Sequence, residues 1–315
     1  MPRPLVRAAQ IAVALCLLVL LWTVSDGAAA LGHLAGAHPG WLAAALVTLT
    51  AQTVLSALRW RLTAGQLGIT LGRGTALKEY YLAQIVNQAL PGGVLGDAGR
   101  AVRARAQAGL VASSQAVLLE RLAGQIALFI LFGAAVAGTL VVSGGFDWPA
   151  GLLAPVALFL CAGFGLVLLL GWVGPRAVGP GRPIALGRPL TGFAAAFQQA
   201  VAAPEVRMRQ ALMSLGTALC TIAAFAFCAA AVGVVLPPAT ALVLVPLILF
   251  TMLIPVTVSG WGLREGAAVA LFPLAGATAA EGLAASVAFG LAFLVATLPG
   301  LVALGVAPGP RPVKS

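Results

Sequence analysis

Acidic and basic side chains stand next to one another in apolar segments of this chain, where charge is costly. Each of three short segments pairs a carboxylate with an arginine: Asp97 with Arg100, Glu120 with Arg121, and Arg264 with Glu265. A charge at the centre of a bilayer costs about 2.5–3.5 kcal/mol even on the mildest insertion scale, so it usually serves a site or a packing pair. The three pairs therefore predict either a polar cavity that holds an anionic group or ion pairs that fix helix packing.

The first arginine closes a glycine-rich motif, NQALPGGVLGDAGR, at residues 87–100. Pro91 ends a helix because it lacks an N–H group and clashes with the preceding turn. Gly92 and Gly93 then permit a chain reversal. Asp97 stands where it can cap the following helix, whose amide end attracts anions. The motif predicts a hairpin with an anion site at its tip, or a plain glycine–proline loop between two helices.

A second motif, IPVTVSGWGLREG at residues 254–266, repeats this order of features. Pro255 breaks a helix, a small polar turn follows from Ser259 to Gly262, and a new helix opens with Arg264. The planar guanidinium of arginine binds two phosphate oxygens at once. Two such turns, one from each side of a membrane, are expected to meet at its midplane and to favour a phosphate group there.

The overall composition is that of an integral membrane protein. Hydrophobic residues make up 61% of the 315-residue chain and charged residues only 8%, and the mean hydropathy is +1.05. Soluble domains carry about 25% charged residues, so a soluble enzyme is excluded, and the hydrophobicity excludes a disordered chain. The net charge of +10 comes from 18 basic and 8 acidic residues. Membrane topology explains their distribution, and no nucleic-acid partner is expected.

Six apolar segments are long enough to cross a bilayer, which requires about 20 residues: 8–24, 41–58, 119–142, 151–173, 211–235 and 282–305. Four connections contain no Lys or Arg and are predicted to lie outside: 25–40, 143–150, 236–239 and 276–282. The positive-inside rule then places both termini in the cytoplasm. The first segment also resembles a cleavable signal peptide, but its length favours an uncleaved helix.

Two further apolar stretches fit re-entrant hairpins better than spans. Residues 76–96 have basic groups on both flanks and are too short to cross twice, so they are predicted to enter and leave on the cytoplasmic side. Residues 240–278 lie between two outside loops and are predicted to enter from outside. Two short spans are the alternative, because they would also begin and end on the outer side. The order span–span–hairpin–span then occurs twice with opposite orientation, which is typical of an inverted repeat in a transporter.

The predicted fold is therefore all-α and polytopic, with about six transmembrane helices and two re-entrant hairpins, or eight hydrophobic segments. A single membrane domain is expected to cover 1–315. Its two halves are 1–150 and 151–305, and a cytoplasmic linker is expected at 174–209.

Signatures of enzymes and cofactor sites are missing. The sequence contains no HExxH, P-loop or GxSxG motif. Its two histidines and four cysteines lack the spacing of a metal site. No catalytic residue, metal or other cofactor is therefore predicted. Two other polar groups have structural interpretations: Leu58-Arg59-Trp60-Arg61 as a membrane anchor at the headgroup level, and Lys78 with Glu79 as a surface ion pair.

Four sets of residues, in order along the chain, resemble the flippase-like transmembrane region of the lysylphosphatidylglycerol synthase family: Leu58-Arg59-Trp60; Asn87, Leu90 to Gly93, Gly96, Asp97 and Arg100; Glu120, Arg121 and Gly124; and Ser259 to Gly262, Arg264 and Glu265. The resemblance covers nearly the whole chain. In that family this region is associated with flipping charged lipids across the cytoplasmic membrane, and relatives are linked to polyprenyl-phosphate sugars and other glycolipids. The family's aminoacyl-transferring domain is soluble and C-terminal, so lysyl transfer is not expected here.

The resemblance and the two hairpins together predict a translocase of the bacterial inner membrane that moves an anionic or phosphate-linked lipid, glycolipids included. Membrane lipids, anionic or polyprenyl-phosphate-linked, are its expected partners. The predicted substrate-binding residues are Asn87, Pro91, Gly92, Gly93, Gly96, Asp97, Arg100, Glu120, Arg121, Ser259, Gly260, Gly262, Arg264 and Glu265. Their arginines are expected to receive the phosphate, and their carboxylates to hold the arginines in place. An ion-coupled transporter of a small anionic solute and a membrane-embedded transferase acting on a lipid-linked substrate are the alternatives.

Overall fold

The regular structure of the chain is helical throughout the residues that the computed structural model describes, which are 3–90, 93–141, 146, 148–178, 188–254, 257 and 259–305. The helices are α1 (Arg3–Val24), α2 (Gly27–Ala35), α3 (Pro39–Gln66), α4 (Arg73–Ala89), α5 (Leu95–Val141), α6 (Ala150–Val178), α7 (Arg188–Phe197), α8 (Pro204–Ala231), α9 (Pro238–Phe250), α10 (Leu263–Leu271), α11 (Ala279–Thr297) and α12 (Pro299–Gly305). Short turns of π or 3-10 helix follow α7, α9 and α10.

Five helical segments are long and apolar enough to cross a bilayer: Pro39–Gln66, Leu95–Val141, Gly151–Leu169, Pro204–Ala231 and Ala279–Ala303. A sixth crossing exists if the bent pair Gln10–Val24 and Gly27–Ala35 acts as one span. These segments fall at the six positions expected from the sequence. The prediction of an all-α polytopic membrane protein is therefore confirmed.

The first span differs from its prediction because α1 and α2 meet at 92°. Asp26 stands at the bend in a left-handed conformation, and its side chain accepts a hydrogen bond from the backbone N–H of Ala29 at 3.1 Å. This cap starts a new helix in the region 25–40 that was expected to be an outside loop. Local capping of an alanine-rich segment explains why helix replaces most of that loop.

The first predicted hairpin is formed by α4 and the beginning of α5. Its arms are longer than the expected 76–96, because α4 begins at Arg73 and the first part of α5 extends to a kink at Gly109. Gly109 bends α5 with φ 81° and ψ 168°, a conformation that favours glycine. The expected span at 119–142 thus belongs to the helical part of α5 that follows this kink.

The second predicted hairpin is formed by α9 and α10. Ser259, Gly260 and Gly262 all have positive φ, so the chain reverses sharply between the two arms. The side chain of Glu265 accepts a hydrogen bond from the N–H of Gly262 at 2.6 Å and caps α10. Pro255 lies outside the described residues, whereas Pro246 is accommodated inside α9. A tight polar turn followed by a capped helix matches the expected motif.

The connection expected as a linker at 174–209 is largely helical where it is described. It contains the end of α6, all of α7 and the beginning of α8. Residues 179–187 of this connection, half of the loop at 143–150 and the C-terminal residues 306–315 lie outside the described part of the chain.

The long helices α3 and α8 form the centre of the fold, with the most extensive contact of any helix pair in the described structure. They are antiparallel: the N–H of His38 before α3 donates to the carbonyl of Ala231 at the end of α8 (2.8 Å). At the opposite end, the amide of Gln199 donates to the carbonyl of Gln66 (2.6 Å). Each half of the chain therefore supplies one helix of this central pair.

Each hairpin contacts a span of the other half as well as its own, and the two hairpins touch at their tips. Helix α5 packs on α9, and α11 packs on α4. At the tips, the hydroxyl of Ser259 donates to the carbonyl of Asn87 at 2.6 Å. This contact brings together the two turns that the sequence separates by 172 positions. The inverted repeat itself stays a prediction.

Candidate functional site

A buried carboxylate, Glu120 on α5, binds two arginines from different helices. Arg59 of α3 donates its Nε to one carboxylate oxygen at 3.2 Å, and Arg100 donates an Nη to the other at 2.8 Å. The hydroxyl of Tyr80 also donates to Glu120, at 3.3 Å. The side chain of Glu120 is 0% exposed. A carboxylate with these partners ties α3, α4 and both parts of α5 together.

The guanidinium of Arg100 lies between two aromatic rings. Its central carbon is 4.9 Å from the ring centroid of Trp60 and 4.6 Å from that of Tyr80. These cation–π contacts stabilise a buried positive charge. Arg59 and Trp60 are buried as well, so the interpretation of both as headgroup anchors is wrong. A membrane anchor must face lipid, whereas these two side chains face the hairpin.

Asp97 links the first hairpin to a second arginine. Its carboxylate is 2.9 Å from Nε of Arg100 and also forms an ion pair with Arg121. Asn87 donates its side-chain amide to Asp97 at 3.3 Å and accepts the backbone N–H of Gly96 at 2.7 Å. The amide of Asn87 therefore spans the reversal and holds the two arms of the hairpin in register.

Gly96 makes this close approach possible, which leads to a prediction. A Cβ atom at this position would lie 2.0 Å from the carbonyl oxygen of Ala83, so Gly96→Ala is expected to destabilise the protein by about 1–3 kcal/mol, the usual cost of overpacking. Gly65→Ala is the matched control, because nothing lies within 4 Å of its added methyl group. Unfolding of both variants in mixed detergent micelles measures the difference. Equal stability of the two variants would contradict the tight hairpin.

A cavity of about 310 Å³ lies beside this network, between α3, α4, α5, α8 and the second hairpin turn. One wall is apolar and includes Leu249, Met252 and Phe293. The rest carries amides, hydroxyls and the ionic groups: Gln52, Ser56, Arg59, Gln84, Asn87, Gln88, Asp97, Glu120, Arg121, Gln125, Thr217, Thr221 and Ser259. Such a mixture of one apolar wall and several converging polar groups is typical of a binding site for a small polar ligand or headgroup.

Arg121 is the arginine of this cavity that a ligand can reach. Its side chain is 47% exposed, whereas Arg59 and Arg100 are buried against Glu120. The three guanidiniums and the two carboxylates, Asp97 and Glu120, leave the cluster one positive charge in excess. The cavity therefore favours an anion electrostatically, and Arg121 supplies a planar fork for its oxygens.

Two polar atoms at the cavity wall have no hydrogen-bond partner among the described residues: Nη1 of Arg59 and Oε1 of Gln125. Both are buried, and most buried polar atoms in native proteins find a partner. The donor and the acceptor belong to residues that line the cavity, but both atoms are buried, so Arg121 provides the accessible guanidinium.

The second buried pair, Arg264 and Glu265, lies away from this cavity. Nε of Arg264 donates to Glu265 and to the hydroxyl of Ser286 on α11, each at 3.0 Å. The guanidinium carbon lies 5.0 Å from the ring centroid of Trp261 and 5.4 Å from that of Phe289. Arg264 is buried, and neither charged residue lines the cavity. This geometry is that of an ion pair that fixes helix packing, the alternative stated for such pairs from the sequence.

The predicted site residues therefore fall into three groups and a remainder. Asn87, Gly93, Asp97, Glu120, Arg121 and Ser259 line the cavity. Gly96 and Arg100 stand behind it and hold its wall. Gly260, Gly262, Arg264 and Glu265 form the turn and first helical residues of the second hairpin, outside the lining. Pro91 and Gly92 lie outside the described residues.

Sequence reasoning missed several polar residues inside the spans, and a simple signal marks them. Gln52, Ser56 and Arg59 recur at helical spacing on α3, as do Gln84 with Gln88 on α4 and Thr217 with Thr221 on α8. Residues three or four apart share one helix face. A polar stripe on an apolar helix indicates a face turned to a cavity or to a partner helix.

Comparison with known proteins identifies a family for the chain. The sequence model of the lysylphosphatidylglycerol synthase transmembrane region matches residues 7–300. No curated protein and no solved structure matches the chain significantly. Among the described residues, no group of three or more His, Cys, Asp or Glu side chains could hold a metal ion.

Proposed function

The chain belongs to the lysylphosphatidylglycerol synthase transmembrane-region family, and we propose that it moves an anionic or phosphate-linked lipid, glycolipids included, across the bacterial cytoplasmic membrane. The observation that carries the proposal is the single reachable guanidinium, Arg121, in a polar cavity closed by the tips of both hairpins. The matched family region is the flippase-like membrane part and includes no transferase domain. Lysyl transfer by these residues is not part of the proposal.

The size of the cavity favours a headgroup rather than a whole lipid. Its volume of about 310 Å³ is at the small end of the range of ligand pockets, about 300–1,000 Å³, and suits a phosphate with a small polar group. Two acyl chains or an isoprenoid chain are too large for a pocket of this size. The headgroup would therefore enter the cavity while the chains stay in the surrounding lipid.

The positions of the charges support a role in recognition. Arg121 would bind the phosphate oxygens, and the excess positive charge of the cluster would raise the anion's affinity. In the structure the carboxylate of Asp97 forms an ion pair with Arg121, so a phosphate that binds Arg121 must displace this carboxylate. Asp97 keeps its second arginine, Arg100, when this happens. The exchange therefore leaves no buried carboxylate unpaired.

The arrangement of the two hairpins suggests how the cavity opens in turn to each side. Each hairpin packs against spans of the other half, and their tips meet at the cavity. Rocking of one half against the other would open the cavity on one side and close it on the other. We place both termini, and the first hairpin's entry point, on the cytoplasmic side, because the arginine-rich segments lie there.

Reconstitution tests this function. The protein is placed in vesicles that contain phosphatidylglycerol with a fluorescent, dithionite-quenchable label on a short acyl chain, which leaves the headgroup unchanged. Transport exposes inner-leaflet label to dithionite, so the wild type is expected to raise the quenched fraction above the half seen in protein-free vesicles. Labelled phosphatidylcholine should move more slowly, because its positive choline is unfavourable beside Arg121.

Inorganic phosphate in the same vesicles separates the alternatives. If radioactive phosphate accumulates in the vesicles and no labelled lipid moves, the protein transports a small anionic solute, and the lipid proposal fails. If phosphatidylglycerol and phosphatidylcholine move at equal rates, the cavity does not select an anionic headgroup, and the proposed role of Arg121 fails with it.

A further inference from the structure

A second concave feature, here called the arginine groove, lies on the lateral surface of the protein. It is formed by α3, α4 and α8 and has a volume of about 560 Å³. Arg61, Arg73 and Arg209 line it, one from each helix. The remainder of its lining is mainly apolar and includes Val54, Leu58, Leu62, Leu77 and Met213.

The arginine groove is separate from the central cavity. The two have no lining residue in common. On α3, Val54, Leu58 and Arg61 line the groove, whereas Ser56 and Arg59 line the cavity. At 100° per residue these two sets point to opposite faces of the helix. A ligand in the groove therefore contacts the outside of the helix whose inner face lines the cavity.

The charges in the arginine groove are not balanced by the protein. Arg73 and Arg209 are exposed and form no ion pair within the described part of the chain, and no carboxylate lines the groove. Arg61 is held in place, because its Nε donates to the carbonyl of Leu71 at 2.7 Å. Three like charges in one concave surface repel one another. An anion bound between them removes this repulsion.

The shape of the groove indicates an amphiphilic anion. From Leu62 to Val54 its apolar wall follows α3 for eight residues, which is about 12 Å at 1.5 Å per residue. The charged end lies at the end of the span, where headgroups lie, and the apolar end lies along its membrane-facing side. Charges that serve only as anchors are spread along an interface, whereas these three converge from separate helices. Basic pockets between transmembrane helices bind anionic lipid headgroups in this way.

We propose that the arginine groove binds one phospholipid of the phosphatidylglycerol type, with its phosphate between Arg73, Arg209 and Arg61 and one acyl chain along Leu58 and Val54. The bound lipid bridges α4, an arm of the first hairpin, to the central pair α3 and α8. It therefore stabilises the relative position of the hairpin. This site does not depend on the translocation proposed for the cavity.

Native mass spectrometry with dioleoyl phosphatidylglycerol tests the site. The double variant Arg73→Gln/Arg209→Gln is compared with Arg105→Gln/Arg207→Gln, which removes two exposed arginines outside the groove. Each arginine near an anionic lipid is worth about a fivefold change in binding, so the groove variant is expected to bind roughly thirtyfold more weakly. The control variant should stay within about threefold of the wild type.

Three results would overturn the proposal. Equal weakening by both double variants means a diffuse surface charge. Equal binding of dioleoyl phosphatidylcholine by the wild type means an unselective boundary lipid. Displacement of the lipid by millimolar glycerol 3-phosphate means a soluble-anion site without a role for the apolar wall. Should the double variant not fold, the single variants Arg73→Gln and Arg209→Gln are each expected to weaken binding about fivefold, and unchanged binding in both overturns the site.

Arg121→Gln separates this site from the central cavity. A lipid held in the arginine groove should remain bound in that variant, since Arg121 does not line the groove. Loss of the bound phosphatidylglycerol in Arg121→Gln but not in the groove variant places the lipid in the cavity and overturns the groove proposal. The proposed translocation can fail in vesicles without any effect on this binding measurement, so the two proposals fail separately.

Discussion

Arg121→Gln is expected to slow phosphatidylglycerol flipping by about ten- to a hundredfold while the folded yield stays at the wild-type level. A hydrogen bond to a charged group contributes about 1.5–3 kcal/mol, which corresponds to that range of rates. Folding is expected to survive because the Arg121 side chain is half exposed and Asp97 keeps its contact with Arg100. The dithionite assay in reconstituted vesicles measures the rate, and gel filtration in detergent measures the yield.

Two control variants separate the role of the planar guanidinium from that of a positive charge elsewhere on the protein. Arg121→Lys keeps the charge but loses the planar fork, so an intermediate rate is expected. Arg105→Gln removes an exposed arginine outside the cavity lining, and its rate should equal that of the wild type. A wild-type rate in Arg121→Gln, measured at equal protein density, would show that this guanidinium does not bind the moving headgroup.

Glu120→Gln is expected to destabilise the protein by about 3–5 kcal/mol, the usual cost of breaking a buried ion pair from one side. Glu120 is fully buried, and it is the one carboxylate that Arg59 contacts in the described structure. Removing its charge leaves the guanidinium of Arg59 buried without a counter-charge. Arg100 is less affected, because Asp97 still lies 2.9 Å from its Nε. Unfolding in mixed detergent micelles measures the change.

The chain offers a matched control for this variant. Glu79 pairs with Arg103 at the surface, where both side chains are partly exposed. Such pairs contribute about 0–1 kcal/mol, so Glu79→Gln should be nearly neutral. The double variant Arg59→Met/Glu120→Gln removes both charges and should recover part of the stability lost in Glu120→Gln. If Glu120→Gln and Glu79→Gln have equal stability, the buried network does not hold the helices together.

The sequence predicted that Arg100, Arg121 and Arg264 all receive the phosphate, but the structure gives these three arginines different surroundings. Arg100 and Arg264 are each buried, paired with a carboxylate and placed against aromatic rings. Buried groups with that many partners are suited to holding a helix in position. Arg121 alone among the three lines the cavity and is accessible. The proposed phosphate contact is therefore assigned to Arg121, while the other two hold the walls around it.

Ion pairs were the least predictable feature, for a geometric reason. Glu120 stands next to Arg121 in the sequence, yet it binds Arg59, 61 positions earlier. Adjacent residues on a helix point about 100° apart and do not face each other, so a neighbour in sequence is seldom a partner in space. Arg264 and Glu265 do pair, although they are adjacent in the first turn of α10. Only the packing of helices distinguishes these two cases.

The sequence by itself determined the membrane class, the positions of the candidate spans and the two glycine-rich turns, because composition, apolar length and proline–glycine chemistry are local properties. The same pattern was less informative about helix ends, and neither the capped helix after Asp26 nor the kink of α5 at Gly109 was foreseen. The tertiary structure alone decided that Arg59 faces Glu120, that Ser259 touches Asn87, and that three arginines from distant segments share one groove. Each of these contacts joins residues far apart in the chain, and their meeting depends on how α3, α4, α5 and α8 pack.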